Sequence, residues 1–379
     1  MPETSAKGAI LARRLFLGGG AAPLPDHVVE FDGGRITAIR PANPVDARTP
    51  DIEQADIVAP GFIDLQINGA GDRQFNHDPS LETLCIMAAA ARKGGTAHIL
   101  PTFITAPGQD YHRAITAMQA AIACGTPGIL GLHLEGPFLS PERPGIHRTD
   151  AIRPITKDDI DQIGVAARSM PILLTVAPEV LPPGALSALV AAGVRVFAGH
   201  SNASADAIDA AEQNGLAGAT HLFNAMTQMT ARAPGVVGAV MASNRLFAGI
   251  IADGHHVDWH SLRVACRAMQ GRLFLVTDAM LTLAGTRDDF MLDDRRITLR
   301  NGRLQDSRGT LAGAHVDMAQ SVRNVVDHCG VSLADALHMA SGIPAAALGY
   351  NAGLGAIAVG APVSLTLLTE TLTVQGVRV

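Results

Sequence analysis

The chain has 379 residues, 47% hydrophobic and 17% charged, with 29 Lys and Arg against 35 Asp and Glu for a formal net charge of −6. That apolar content fills a large core and excludes an intrinsically disordered chain. The acidic balance, the lack of a Lys/Arg block, and only one Trp and two Tyr exclude a non-specific nucleic-acid binder.

The length suits an α/β barrel of about 250 residues with a smaller appendage. Met1 to Leu17 mixes Glu3, Lys7, Arg13 and Arg14 into its apolar residues, unlike a signal peptide, and no run reaches the roughly 20 apolar residues that span a bilayer. Cys85, Cys124, Cys266 and Cys329 lie far apart without a CxxC pair, so free thiols, a reducing compartment and a cytoplasmic location are expected.

The chain before the break at Ala59-Pro60-Gly61 reads as β-rich: Ala9 to Leu17, Val28 to Phe31, a turn at Asp32-Gly33-Gly34, and Ile36 to Ile39. Short apolar runs then alternate with Ala-rich amphipathic segments. The runs are Phe62 to Ile67, Ala97 to Ile104, Ile129 to Leu134, Ile172 to Val176, Val194 to Ala198, Ala219 to Phe223, Phe247 to Ala252 and Leu273 to Thr277. Helices fit between them, such as Leu81 to Lys93 opened by Ser80 and stopped by Gly94-Gly95, and Ala205 to Asn214 closed by Gly215. This alternation predicts a (β/α)8 TIM-type barrel. Beyond Thr277, Phe290 to Leu304 reads as a hairpin turning at Asn301-Gly302, and Met318 to Cys329 and Leu333 to Met339 as helices. Val363 to Leu368 and Leu372 to Val379 return to strand character. The expected organisation is a barrel over residues 60–345 and a small β-sandwich domain from both chain ends, 1–59 and 346–379.

In a barrel, chemistry gathers at the carboxyl ends of the strands. Those ends carry Asp64, Gln66 and Asn68, then Glu135, Glu179, His200, His221, the segment Asp253 to His256, and Asp278. A buried charge without a partner costs several kcal/mol, roughly, so repeated His and carboxylate ends call for a metal ion. Glu135, His200 and His221 offer one oxygen and two nitrogen donors with a position left open, the pattern of a catalytic divalent site; the alternative is that each His caps its strand. Asp278 suits a general base for water there, or a carboxylate that orients a ligand His.

The runs Gly61-Phe62-Ile63-Asp64-Leu65-Gln66-Ile67-Asn68-Gly69, His133-Leu134-Glu135-Gly136-Pro137-Phe138, Ala198-Gly199-His200-Ser201-Asn202-Ala203, Thr220-His221-Leu222-Phe223-Asn224-Ala225-Met226, Ala252-Asp253-Gly254-His255-His256-Val257 and Val276-Thr277-Asp278-Ala279 occur in this order. Together they resemble the N-acetylglucosamine-6-phosphate deacetylase family of the amidohydrolase superfamily. The resemblance implies metal ligands Glu135, His200 and His221, the acid/base Asp278, and catalytic assistance from His147. It further implies substrate contacts from Gln66, Ile146, His147, Asn224, Ala225, Arg232, Asp253, His256, Leu311, Ala312 and Gly313. Implied with them are removal of the acetyl group from an N-acetyl amino sugar phosphate and a homodimer in which Arg232 reaches the partner's site. Binuclear members of the superfamily place a His-x-His pair on the first strand, where this chain has Gln66 and Asn68. One metal per subunit, Zn2+ or Fe2+, is therefore expected.

The chain departs from the family pattern at Pro144, which is inserted before Gly145-Ile146-His147, at His255 beside His256, and at His315. The rival readings are an N-acetylgalactosamine-6-phosphate deacetylase, another amidase on the same barrel, or a catalytically dead scaffold. The scaffold would be expected to lack a ligand or the acid/base, and none of the four is missing.

Overall fold

Runs of buried apolar residues such as Phe62–Ile67 and Ile172–Val176 form parallel strands, because a strand covered on both faces has no solvent side to make polar. The computed structural model describes residues 7–349 and 353–379. Eight strands, Phe62–Ile67, Thr96–Ile104, Leu132–Glu135, Ile172–Val176, Arg195–Ala198, Gly218–Ala219, Phe247–Ile251 and Leu273–Val276, pair in chain order as one sheet. The first and eighth meet through an Ile67–Ala279 bridge and through Asp278 N donating to Gln66 O at 2.8 Å, which closes the barrel. Each expected run thus contributes a strand. The sixth stops at Ala219, short of the expected Phe223, because the backbone turns to positive φ at His221.

Helices cover the outside. The Leu81–Lys93 helix begins where the Ser80 hydroxyl accepts from Thr83 N, buries Leu84, Met87, Ala88 and Ala91, and ends at Gly94. The Lys157–Ala167 helix opens with a capping box, in which Thr156 and Asp159 each satisfy the other's backbone N–H.

Both chain ends build one small β domain, as expected. Gly8–Leu15, Leu24–Asp32, Arg35–Pro41 and Ile52–Pro60 join Leu365–Leu368 and Val374–Arg378 in a six-stranded sheet. It curls on itself: Ile36 N donates to Ala361 O, and Val363 N to Gly34 O, around a core of Ile10, Val29, Ile36, Val58, Leu365 and Leu367. The opposite face packs Ile57 and Ala59 into the core of the barrel.

The expected hairpin after the eighth barrel strand is larger than predicted. Asp289–Leu292, Arg295–Arg300, Arg303–Gln305 and Leu311–Ala314 form a four-stranded antiparallel sheet. The turn at Asn301-Gly302 is where the sequence puts it, with φ of 50° and 76°. A further turn at Asp293, φ 52°, carries no glycine and so gave no signal. Phe290, Leu292, Ile297 and Leu304 pack this sheet onto Ile104, Met280 and Leu281, and Ala314 N donates to Asp278 O at 2.9 Å. The insertion is thereby fastened to the end of the eighth strand. Among the described residues no helix is long and apolar enough to cross a membrane.

Candidate metal and catalytic site

Glu135 is the last residue of the third barrel strand, while His200 and His221 follow the fifth and sixth. Their side chains converge. His200 Nε2 lies 3.2 Å and His221 Nε2 2.9 Å from Glu135 Oε1, and the two nitrogens are 3.1 Å apart. Ligand atoms about 2.0–2.1 Å from a tetrahedral ion stand roughly 3.3 Å from one another, close to this triangle. His200 Nδ1 lies 3.0 Å from the carbonyl oxygen of Arg143; a proton donated there leaves Nε2 bare toward the centre. Glu135, His200 and His221 are all buried and could hold a metal ion.

The backbone at the site is unusual for residues with a Cβ. φ is positive at His200 (47°), His221 (30°), Phe223 (80°), Ala225 (49°) and Asp278 (49°). Such conformations cost free energy and persist where surrounding structure holds them. Here they turn side chains at strand ends inward.

Asp278 faces the triangle. Its Oδ1 accepts from Asn68 Nδ2 at 2.6 Å and from Gln66 Nε2 at 3.2 Å; Gln66 Nε2 also lies 3.3 Å from Glu135 Oε1. Burial, then the neighbouring Glu135 carboxylate, push the Asp278 carboxyl up to about 6. Burial also opposes ionisation of Glu135, but the bonds from His200 and His221 outweigh it and hold that carboxyl well below its ordinary range. His147 is buried, its ring centroid 4.2 Å from that of His200; burial, then His200, lower its pKa to about 3, so it is neutral. Its Nδ1 lies 2.8 Å from the Thr105 hydroxyl and its Nε2 4.0 Å from Glu135 Oε2.

A cavity of about 250 Å³ opens over these groups. Of the residues implied by the sequence, Glu135, Ile146, His147, His200, His221, Asn224, Ala225, His256, Asp278, Leu311 and Gly313 line it. Gln66 does not line it and instead bonds Asp278 and Glu135. Ala312 turns its methyl away, into the apolar cluster beneath the inserted sheet. Asp253 is set back and grips His256: Oδ2 is 2.7 Å from His256 Nδ1, and Oδ1 accepts from the N–H groups of His255 and His256. His255 is exposed, so of the two neighbouring histidines it is His256 that meets the cavity. Arg232 lies on an exposed loop and does not line the cavity of its own chain.

Two carboxylates read as part of the rim do not reach it. Asp64 is buried below, accepting from the Thr277 hydroxyl and backbone N–H and from Gln66 N, and burial raises it to about 7. Glu179 accepts from Ser201 Oγ and Asn202 N, bracing the chain after His200. Gly145, φ 56°, lets the loop around Pro144 lie against His200, since a Cβ there would stand 3.1 Å from the ring. His315 bonds Thr282 outside the cavity. The sequence offered no sign of Thr105, Met280 or Thr310: a lone Thr after an apolar strand, a Met and a loop Thr carry no spacing that points to a site. Asn68 was legible as the second amide of Gln66-x-Asn68.

The amidohydrolase family matches residues 57–378. An N-acetylgalactosamine-6-phosphate deacetylase of Shewanella sp. (strain ANA-3) is 40% identical over 291 residues, covering 75% of this chain and 72% of that protein. An N-acetylglucosamine-6-phosphate deacetylase of Haemophilus influenzae is 36% identical over 361 residues, 93% of each. The crystal structure of N-acetylglucosamine-6-phosphate deacetylase from Pasteurella multocida superposes with a TM-score of 0.91 at 35% identity, covering 99% of this chain and 98% of that one.

Proposed function

The chain belongs to the amidohydrolase family, and from that premise we propose that it removes the acetyl group of N-acetyl-D-glucosamine 6-phosphate, giving D-glucosamine 6-phosphate and acetate in amino sugar catabolism. The observation that carries this reading is the convergence of Glu135, His200 and His221 beneath Asp278 in one cavity. A divalent cation held by those three side chains supplies Lewis-acid polarisation and makes water more acidic at that point. Zn2+ suits one oxygen and two imidazole donors, and Fe2+ takes the same set.

The residues of the chain divide the remaining work. As water adds to the acetyl carbonyl carbon, the Asp278 carboxylate takes its proton, and as the C–N bond breaks Asp278 returns that proton to the sugar nitrogen. Gln66 and Asn68 aim Asp278 through their amide N–H groups. His147 donates a hydrogen bond to the carbonyl oxygen as negative charge builds there. His256, Asn224 and Ala225 serve the phosphorylated end, and Ile146, Leu311 and Gly313 shape the wall against the sugar. The phosphate also takes Arg232 from a partner subunit of a homodimer, a reading supported by the exposure of that loop and by the absence, among the described residues, of Arg and Lys from the cavity lining. We place the enzyme in the cytoplasm, in keeping with its four free cysteines.

A second reading is specificity for the galactosamine epimer, favoured by the 40% identical Shewanella relative of that name. Amine release measured side by side on both N-acetyl amino sugar 6-phosphates and their unphosphorylated forms separates the two. The highest kcat/KM is expected on the glucosamine-type phosphate. Preference for the other epimer reverses the assignment, and no release from any of the four overturns the deacetylase reading.

A further inference from the structure

Resting on the reading that His147 donates to the substrate carbonyl, we propose that Thr105 is a positioning residue that sets the tautomer of His147, keeping the proton on Nε2, the nitrogen facing the cavity. Thr105 follows Ile104 at the end of the second barrel strand and is buried. Its Oγ1 lies 2.8 Å from His147 Nδ1 and 3.2 Å from the main-chain oxygen of Glu135. A hydroxyl has one proton to give. Two arrangements are open to it.

If Nδ1 carried the proton, it would donate to Thr105, and Thr105 would donate its own hydrogen bond to Glu135 O. Nε2 would then turn a bare lone pair toward the Glu135 carboxylate, 4.0 Å away. With Thr105 donating to Nδ1, the proton sits on Nε2, directed at that carboxylate and at any carbonyl oxygen entering the cavity. Of the two Thr105 contacts, the one to Nδ1 at 2.8 Å is shorter than the one to Glu135 O at 3.2 Å, and only with Thr105 donating to Nδ1 does Nε2 keep a proton to give to a carbonyl oxygen. The surroundings hold the pair in place. A Cβ on Gly136 would come 2.2 Å from Thr105 Oγ1, so glycine at that position leaves the hydroxyl its room. His147 N donates to Pro144 O at 3.0 Å, and the ring packs on His200, so the imidazole keeps Nδ1 on the threonine.

The test uses Zn2+-loaded protein carrying 15N-histidine, as wild type, Thr105→Val and Thr105→Ser, with long-range 1H–15N correlation of the His147 ring beside steady-state kinetics. Wild type and Thr105→Ser should show the Nε2–H tautomer with Nδ1 accepting a hydrogen bond. In Thr105→Val that Nδ1 signature should vanish, with kcat down about tenfold to a hundredfold, as for a buried partner lost, and KM changed less than about threefold. A wild-type ring protonated on Nδ1 would overturn the proposal, and this result does not depend on either variant folding. Unchanged ring shifts and full kcat in Thr105→Val would overturn it equally. Failure of the deacetylase reading shows separately, as absent amine release by wild type, and leaves the spectroscopic answer standing.

Discussion

At Asp278 a strained backbone, two amide donors and a buried carboxylate neighbour meet in one residue. Desolvation raises its carboxyl toward the pH at which a base both holds and releases a proton easily. Asp278→Asn keeps the shape and removes the proposed base; it is expected to retain bound metal while kcat falls about 100-fold or more. Loss of metal on elemental analysis would instead make Asp278 a ligand. The sign of the pH dependence follows from the same residue. The base must be ionised, so kcat/KM should fall as pH drops through about 6, or lower once a cation beside Asp278 favours its charged form. A rate flat down to pH 4, with metal retained, would contradict that role. Asp278 was legible in the sequence because an apolar strand ended in a carboxylate. Asp64 and Glu179 read as strand ends too, yet Asp64 lies inside the first strand and Glu179 in a turn beyond the fourth, and both brace backbone, since where a strand stops and which way its side chains point depend on the closure of the barrel.

The elements carrying the site are held by their ends. Asp159, fully buried at the start of the Lys157–Ala167 helix, accepts from Arg153, Tyr111 Oη and Thr156, and although burial opposes it these bonds hold its carboxyl well below the ordinary range. A depressed folded pKa gives stability that is fully present above the unfolded value and is lost as pH falls through the folded one. Asp159→Ala should cost about 3 kcal/mol by denaturant unfolding at pH 7, because Arg153 and Tyr111 lose a buried partner, and the difference from wild type should shrink below about pH 4. An equal deficit at pH 3 and pH 7 would show that packing, not the charge, carries the effect. Helix caps such as Ser80 and the turn at Asn301-Gly302 were readable because local chemistry decides them. The Asp293 turn was not, because the inserted sheet is paired and packed as a unit on Met280 and Leu281.

Across the molecule the expected assembly concerns metal count and shared sites. Gln66 and Asn68 turn their amide N–H groups to carboxylates, and their amide oxygens are weak ligands where a second ion would need imidazole donors. Elemental analysis with activity titrated against Zn2+ should saturate near one ion per chain, and a requirement for two would overturn the mononuclear reading. Arg232→Ala should lower kcat/KM on the phosphorylated sugar by the equivalent of about 2–5 kcal/mol and leave the unphosphorylated form nearly unchanged. If Arg232 completes the partner's site, mixing Arg232→Ala chains with Asp278→Asn chains should restore activity in part, since one site of a mixed dimer then keeps both residues. Verified mixed dimers without recovery would mean that each chain completes its own site.

The repeated apolar runs, their helical spacers and the polar residues ending them were enough to read the barrel and its Glu135, His200, His221 and Asp278, because burial on both faces makes a strand apolar and chemistry confines polar groups to its end. Folding alone brought Thr105 to His147, turned Ala312 away from the cavity and put His256 rather than His255 inside it. The first of these joins residues 42 positions apart, and the cavity that all three border or face away from arises where strands close into a ring and loops pack over it. No local spacing encodes a distance that exists only once the first strand has met the eighth.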